Sequence, residues 1–144
     1  VELRICDTPL TIDRAVELAA FAQCLARSLL RTRPPIAPAS QALVARYNKF
    51  QASRYGFGAT LADPIRRRRV RIGDALRELI DSLTADADDL GCRKQLEQLR
   101  ALVISERNDS AWLREIARNT GNLNDLTRMA AERFASPSSY RPNV

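Results

Sequence analysis

Two charged side chains at the start of the chain have a spacing that could bind a metal-phosphate group. In the first seven residues, V-E-L-R-I-C-D, Glu2 and Arg4 alternate with apolar residues, a period that predicts a half-buried β-strand. Both side chains would lie on one face, roughly 7 Å apart. The carboxylate could bind Mg²⁺ and the guanidinium a phosphoryl oxygen. The spacing alone favours a simpler interpretation, a solvent-facing strand whose charges pair weakly.

A third candidate is an arginine on an apolar helical stripe. A helix is predicted from about residue 39 to residue 55, and its apolar stripe consists of Leu43, Val44, Tyr47 and Phe50. Arg54 continues that stripe, and burying it is costly unless it binds an anion or reaches solvent. It could join Asn48 and Gln51 as a polar set facing a cleft. Alternatively, it extends into solvent at the helix end, where backbone carbonyls favour a cation.

The segment I-R-R-R-R-V-R-I, residues 65–72, follows turn residues and predicts a β-hairpin. Arg67, Arg69 and Arg71 would line one face, with Arg66 and Arg68 on the other. Such a hairpin could contact nucleic-acid phosphates. Because no aromatic residues interleave with the arginines, base stacking is not indicated, and a solvated surface hairpin is favoured.

The composition excludes several kinds of site. The 144-residue chain has no histidine, which removes the usual base of a serine or cysteine nucleophile and the commonest metal ligand. Cys6, Cys24 and Cys92 lack C-x-x-C spacing, so a zinc site is disfavoured and a reduced, cytoplasmic setting is indicated. The net charge of +6 admits phosphorylated ligands or nucleic acid. No apolar run is long enough to span a bilayer, so no membrane partner is expected.

The rest of the chain is predicted to be mostly helical, with N-caps at Thr11, Asp74, Thr84 and Asp109. The first helix is predicted to have a polar side, and two later helices an apolar stripe. The polar side consists of Asp13, Glu17, Arg27 and Arg31, one stripe of Leu76, Leu79, Ile80 and Leu83, and the other of Leu96, Leu99 and Val103. The expected fold class is α+β and predominantly helical: one N-terminal strand, a short basic hairpin and about six helices. Residues 1–134 are expected to form one domain, followed by a flexible Ser/Pro tail at 135–144. Because Val1 already lies inside a strand pattern, we expect a fragment of a longer polypeptide.

Several segments together resemble one family. They are V-E-L-R-I-C-D-T-P-L-T before an alanine-rich helix, R-P-P-I, R-Y-N-K-F-Q-A-S-R-Y-G-F, and N-D-S-A-W-L-R-E-I-A-R-N-T-G-N-L. Their order is similar to that of the carboxylate–amine ligases, the glutamate–cysteine ligase-like proteins of the bacterial second type. The resemblance covers nearly the whole chain and corresponds to the C-terminal part of a full-length member.

The resemblance implies an ATP-dependent ligase of the glutamine-synthetase-like fold. Such an enzyme forms an acyl phosphate from ATP and a carboxylate such as glutamate, and an amine such as cysteine then displaces phosphate. Mg²⁺ and ATP are the implied cofactors. By motif, Glu2 would be a metal ligand, Arg4 and Arg54 catalytic residues, and Asp7 and Asn48 substrate- or nucleotide-binding residues. The family's other metal-binding carboxylates would lie upstream of residue 1, so the chain alone is expected to be inactive.

Two other functions stay open. A basic helical module would bind DNA or RNA with strong salt dependence, weakened by charge removal at Arg67 and Arg69, although no helix concentrates basic residues as a recognition helix does. A non-catalytic assembly module would self-associate, for example as a homo-oligomer paired through an exposed strand edge.

Overall fold

The computed structural model describes residues 9–33, 40–106 and 108–136. Within these ranges the chain forms seven α-helices, a 3₁₀ turn and one two-stranded sheet. The elements in order are α1 Ile12–Thr32, α2 Ser40–Tyr55, the 3₁₀ turn Gly56–Gly58, β1 Thr60–Asp63, β2 Arg68–Arg71, α3 Ile72–Ser82, α4 Thr84–Asp89, α5 Arg93–Ser105, α6 Asp109–Thr120 and α7 Leu123–Ala135. This confirms the α+β, predominantly helical class. The predicted strand at residues 1–7 lies outside the described residues.

The chain divides into two compact units. Residues 23–93 form the hairpin unit, which contains the end of α1, then α2, the hairpin, α3 and α4. Residues 1–22 and 94–144 form the terminal unit, whose described part contains the start of α1, most of α5, and α6 and α7. The single-domain boundary at residue 134 stays a prediction, and residues 137–144 of the predicted tail are outside the described ranges.

The arginine-rich segment forms the predicted β-hairpin. Strands β1 and β2 pair antiparallel, with Thr60 opposite Arg71 and Asp63 opposite Arg68. The turn is built by Asp63, whose Oδ1 accepts hydrogen bonds of 3.0 Å from the backbone N–H groups of Ile65 and Arg66. An aspartate that bonds the backbone just after it stabilises such a turn. These bonds, the one from Arg66 first, lower the pKa of Asp63.

The buried centre of the hairpin unit lies along α3 and α4. Ile80 and Leu83 are at most 2% exposed, which confirms the apolar stripe predicted for α3, and Ala87 on α4 is also fully buried. Helix α4 ends at Asp89, and Gly91, two residues later, has a φ of +67°, a left-handed conformation that glycine adopts without steric cost. The position of Gly91 therefore accounts for the C-terminal end of α4.

Helix α2 departs from the sequence expectation. It ends where predicted, before Gly56 with a φ of +54°. However, the stripe that should be buried is open: Leu43 is 73% exposed, Phe50 57% and Tyr47 38%. Periodicity shows which side chains share a face, but another element must cover that face to bury it. The described residues do not cover this one.

Three predicted N-caps are wrong by one to three residues, and one is confirmed. Thr11 Oγ1 accepts a 3.1 Å hydrogen bond from the Arg14 N–H at the start of α1, as predicted. Helix α3 instead begins at Ile72, because the strand runs directly into it, and Asp74 lies in the first turn. Thr84 is likewise inside α4, whose N-cap is the residue before it.

Helix α6 is capped by Asn108, not by Asp109. The Asn108 backbone is extended and its Oδ1 accepts a 2.8 Å hydrogen bond from the Ala111 N–H. Asp109 instead bonds a residue distant in sequence: its Oδ2 accepts a 3.1 Å hydrogen bond from the Leu10 N–H. Either side chain can cap a helix, so the backbone conformation decided between them. In the same unit, the predicted α5 stripe is confirmed by the burial of Leu96, Leu99 and Val103.

Glu17, on the predicted polar side of α1, is only 6% exposed. It forms an ion pair with Arg14. Burial nevertheless raises the pKa of Glu17 above its ordinary value of 4.5, because desolvation outweighs the attraction of Arg14 and because Asp13 and Asp109 add repulsion. The ionised carboxylate is thus less favourable in the folded chain than in the unfolded one.

This raised pKa predicts a pH-dependent effect of Glu17→Gln. The folded chain binds the proton more tightly, so the contribution of Glu17 to stability is complete below pH 4.5 and is lost as the pH rises through the folded pKa. The free energy of unfolding of the wild type minus that of Glu17→Gln should therefore fall over this window and then level off. Urea titrations at a series of pH values measure it. Glu115→Gln, an exposed glutamate of the same unit, is the control, and a difference that rises with pH would contradict the prediction.

Among the described residues, none of the helices has both the length and the apolar character needed to cross a membrane.

Candidate functional site

Asn48 lies on the side of α2 that faces the hairpin. Its Nδ2 donates a 2.9 Å hydrogen bond to the Ala62 carbonyl, and its Oδ1 accepts a 2.8 Å hydrogen bond from the Ala62 N–H. The side-chain amide therefore pairs with β1 as a neighbouring strand would, on the edge away from β2. Both of its functional groups are engaged by the backbone, so Asn48 fixes the position of α2 against the hairpin.

Removing this amide should destabilise the hairpin unit. Asn48→Ala leaves the partly buried N–H and C=O of Ala62 without a partner, and we expect a loss of about 1–3 kcal/mol in the free energy of unfolding. Chemical denaturation compares it with Lys49→Ala, an exposed neighbour on the same helix. Equal stabilities of the two variants would show that the Asn48 bonds contribute nothing.

Arg54 is exposed in the last turn of α2. It is six residues after Asn48, which places it on a different face of the helix at 3.6 residues per turn. The described part of the chain provides no ion pair or hydrogen bond to its guanidinium. The structure therefore separates Arg54 from Asn48. Gln51, which lies between them in sequence, is half-buried. The guanidinium remains available to an anion, on a face that also exposes Tyr47 and Phe50.

The other three predicted site residues, Glu2, Arg4 and Asp7, lie outside the described residues. Their predicted roles stay predictions. Within the described ranges no three Cys, Asp or Glu side chains converge in a group that could hold a metal ion.

Only part of the predicted division of the hairpin arginines can be compared with the structure, because β2 begins at Arg68 and both Arg66 and Arg67 lie in the turn. Arg66 and Arg68 were predicted to share a face, and both pair with Glu78. Arg66 Nη1 lies 2.6 Å from Glu78 Oε2, and Arg68 Nη2 lies 3.2 Å from Glu78 Oε1. Hydrogen bonds from Arg66 and then Arg68 lower the pKa of Glu78. Arg67 and Arg69 are exposed. A single carboxylate on α3 therefore offsets part of the hairpin's positive charge, which reduces the charge available for nucleic-acid phosphates.

Sequence reasoning missed a charged contact between α1 and α4. Asp86 is 2% exposed, and its Oδ2 lies 3.1 Å from Arg31 Nη2 while its Oδ1 lies 3.5 Å from Arg27 Nε. Arg27 also pairs with the exposed Asp89. The spacing of the two arginines was visible in the sequence, because Arg27 and Arg31 are one helical turn apart on α1. Nothing local indicated that an acidic helix more than fifty residues later would meet them.

Comparison with known proteins identifies the family. Residues 1–129 match the sequence profile of glutamate-cysteine ligase family 2 (GCS2). The chain belongs to this family. It is 50% identical over 134 residues to a protein of Dechloromonas aromatica (strain RCB) and 37% identical over 134 residues to one of Cupriavidus metallidurans (strain CH34), both provisionally named glutamate–cysteine ligase 2.

The matches cover nearly all of this chain but only part of each relative. Each covers 93% of this chain but only 35% and 36% of the relatives' own lengths. The chain thus spans about a third of a family-length protein. The family match includes Glu2, Arg4, Asp7, Asn48 and Arg54.

Proposed function

We propose that this chain is part of an ATP-dependent carboxylate–amine ligase that joins glutamate, or a similar carboxylate, to the amine of cysteine or a related compound. The observation that carries the proposal is the family match over residues 1–129. The relatives' name, glutamate–cysteine ligase 2, supports glutamate and cysteine as the substrate class. Cytoplasmic localisation belongs to the same proposal, since ATP and free cysteine are abundant there.

The proposed reaction has two steps. A carboxylate oxygen of the first substrate attacks the γ-phosphorus of ATP, which forms an acyl phosphate and releases ADP. The amine nitrogen then attacks the acyl carbon, loses a proton and expels inorganic phosphate, which leaves an amide. Both steps develop negative charge on phosphoryl oxygens, so positioned cations are the main protein contribution.

In this proposal the two catalytic arginines bind oxyanions. Arg4 would contact the transferred phosphoryl group or the substrate carboxylate. Arg54 is supported by its exposed and unpaired guanidinium in the described structure, because such a group can bind a carboxylate or phosphate without first breaking an ion pair. Asn48 would act as a positioning residue, since its amide is already bonded to Ala62. Asp7 is retained as a proposed binding residue.

Mg²⁺ and ATP belong to the proposal as cofactors. When bound, the metal would neutralise phosphate charge. Glu2 is the proposed ligand by resemblance.

The test is an assay of a family-length protein that contains this chain. We expect ADP release to require both glutamate and an amine, with cysteine among the active amines, and an equal amount of amide to form. We expect no turnover from the 144-residue chain alone, because it spans about a third of its relatives. ADP release by the isolated chain, or a family-length protein that forms no amide with any carboxylate and amine pair, would contradict the proposal.

A further inference from the structure

Two cysteine thiols lie in contact inside the hairpin unit. The Sγ atoms of Cys24, on α1, and Cys92, after α4, are 3.5 Å apart although 68 residues separate them in sequence. Both are free thiols. Cys24 is fully buried, whereas Cys92 is partly exposed. A disulfide bond of about 2.05 Å would need only a small approach of the two sulfur atoms.

The backbone holds Cys92 in this position. At the end of α4, the Cys92 N–H donates a 2.9 Å hydrogen bond to the Ala87 carbonyl, and the Gly91 N–H donates a 3.1 Å bond to the Asp88 carbonyl. This pair of bonds, with Gly91 in the left-handed conformation, is the Schellman arrangement that closes a helix. The direction of the Cys92 side chain is therefore set by the helix end and not by a mobile loop.

Ion pairs between α1 and α4 hold Cys24, on α1, in its position beside Cys92. Cys24, Arg27 and Arg31 follow one another at three- and four-residue spacing along one face of α1. Arg27 and Arg31 both pair with the buried Asp86 of α4, and Arg27 also pairs with Asp89. The charged contacts thus keep α1 against α4 one turn away from the two thiols.

We propose that Cys24 and Cys92 are a redox-sensitive pair that forms a reversible disulfide when hydrogen peroxide oxidises the chain. The inference does not depend on the proposed ligase activity. The disulfide would link α1 covalently to the end of α4, at a place where the two elements are already in contact.

The exposure of the two thiols decides which one reacts first. The Cys92 thiolate attacks one peroxide oxygen, which gives the sulfenic acid and hydroxide. The Cys24 sulfur then attacks the Cys92 sulfur, loses its proton and expels hydroxide that becomes water, so two thiols and one peroxide give one disulfide and two waters. Burial, followed by the hydrogen bond to Cys92 and the charges of Cys92 and Asp86, raises the pKa of Cys24 to about 12. Cys24 therefore serves as the second thiol.

Peptide mapping tests the proposal on the whole chain. The folded protein is treated with equimolar hydrogen peroxide, its remaining thiols are blocked with N-ethylmaleimide in denaturant, and it is digested with trypsin. Cleavage after arginine places Cys24 in peptide 15–27, Cys92 in peptide 78–93 and Cys6 in peptide 5–14. We expect peptides 15–27 and 78–93 to be joined, with the loss of two hydrogens, and dithiothreitol to separate them. Recovery of both peptides unlinked, or preferential linkage of peptide 5–14, would overturn the proposal.

Two variants make the result specific. Cys6→Ser should retain the link. Cys92→Ser alters the more exposed thiol, so it should fold and lose the link, leaving Cys24 reduced after peroxide. The oxidised wild type should also unfold at a higher temperature than the reduced protein, because the cross-link restricts the unfolded chain. Peroxide should not raise the unfolding temperature of Cys92→Ser, and a rise of equal size in that variant would contradict a Cys24–Cys92 disulfide.

Discussion

Glu2→Gln in a family-length protein is expected to lower amide formation by about 10²–10³-fold, the loss typical when one charge-stabilising group is removed from an active site. Glutamine keeps the size of glutamate but removes the negative charge, and a neutral amide oxygen binds Mg²⁺ more weakly than a carboxylate. In the proposed function Glu2 holds the metal that neutralises phosphate charge. The fall should therefore be in turnover, while the far-ultraviolet circular dichroism spectrum stays unchanged.

The measurement is the steady-state rate of ADP release with saturating glutamate and cysteine at several Mg²⁺ concentrations. A weakened metal site predicts that excess Mg²⁺ partly restores the rate. Glu115→Gln makes the same chemical change at an exposed position of α6 and should leave the rate unchanged. Wild-type turnover by Glu2→Gln would remove Glu2 from the metal site without affecting the family assignment.

Leu83→Ala is expected to destabilise the hairpin unit by about 2–5 kcal/mol, the range measured when a buried leucine is truncated. Leu83 is 1% exposed and is among the largest fully buried side chains of the described residues. It stands between α3 and α4, where its backbone ends one helix and precedes the next. Removal of the side chain leaves a cavity at this junction. A domain is usually stable by only about 5–15 kcal/mol, so the loss is a large fraction.

Urea denaturation followed by circular dichroism measures this effect. The matched control is Leu43→Ala, the same truncation at a position that is 73% exposed. It should cost far less, because little apolar surface is returned to water and alanine is favoured in a helix. Equal losses at the two positions would mean that Leu83 is not part of a packed core. A large loss at Leu43 alone would mean that another element covers the α2 stripe in solution.

The open stripe of α2 also bears on the proposed function. Leu43, Tyr47 and Phe50 leave an apolar surface next to Arg54. This surface and the guanidinium are both open to solvent in the described residues, so a ligand could contact the apolar side chains while its anionic group binds Arg54. The same helix is fixed on its other side by the bonds of Asn48 to Ala62. The binding role of Arg54 and the positioning role of Asn48 stay part of the proposed function.

The sequence by itself determined the local structure and the family. The apolar spacing at Ile80 and Leu83 in α3 and at Leu96 and Leu99 in α5 predicted buried faces, and the structure confirms them. The arginine-rich hairpin followed from turn residues between short alternating segments. These features depend on residues a few positions apart, whose side chains share a face or close a turn whatever the rest of the chain does.

Only the tertiary structure decided the contacts between distant residues. The Cys24–Cys92 contact spans 68 residues, and the Arg31–Asp86 pair spans 55. Neither has a sequence signal, since each depends on how α1 meets α4. The open stripe of α2 has the same cause: periodicity placed Leu43, Tyr47 and Phe50 on one face, but burial requires a second surface against that face. Residue spacing specifies faces, and tertiary packing specifies which faces meet.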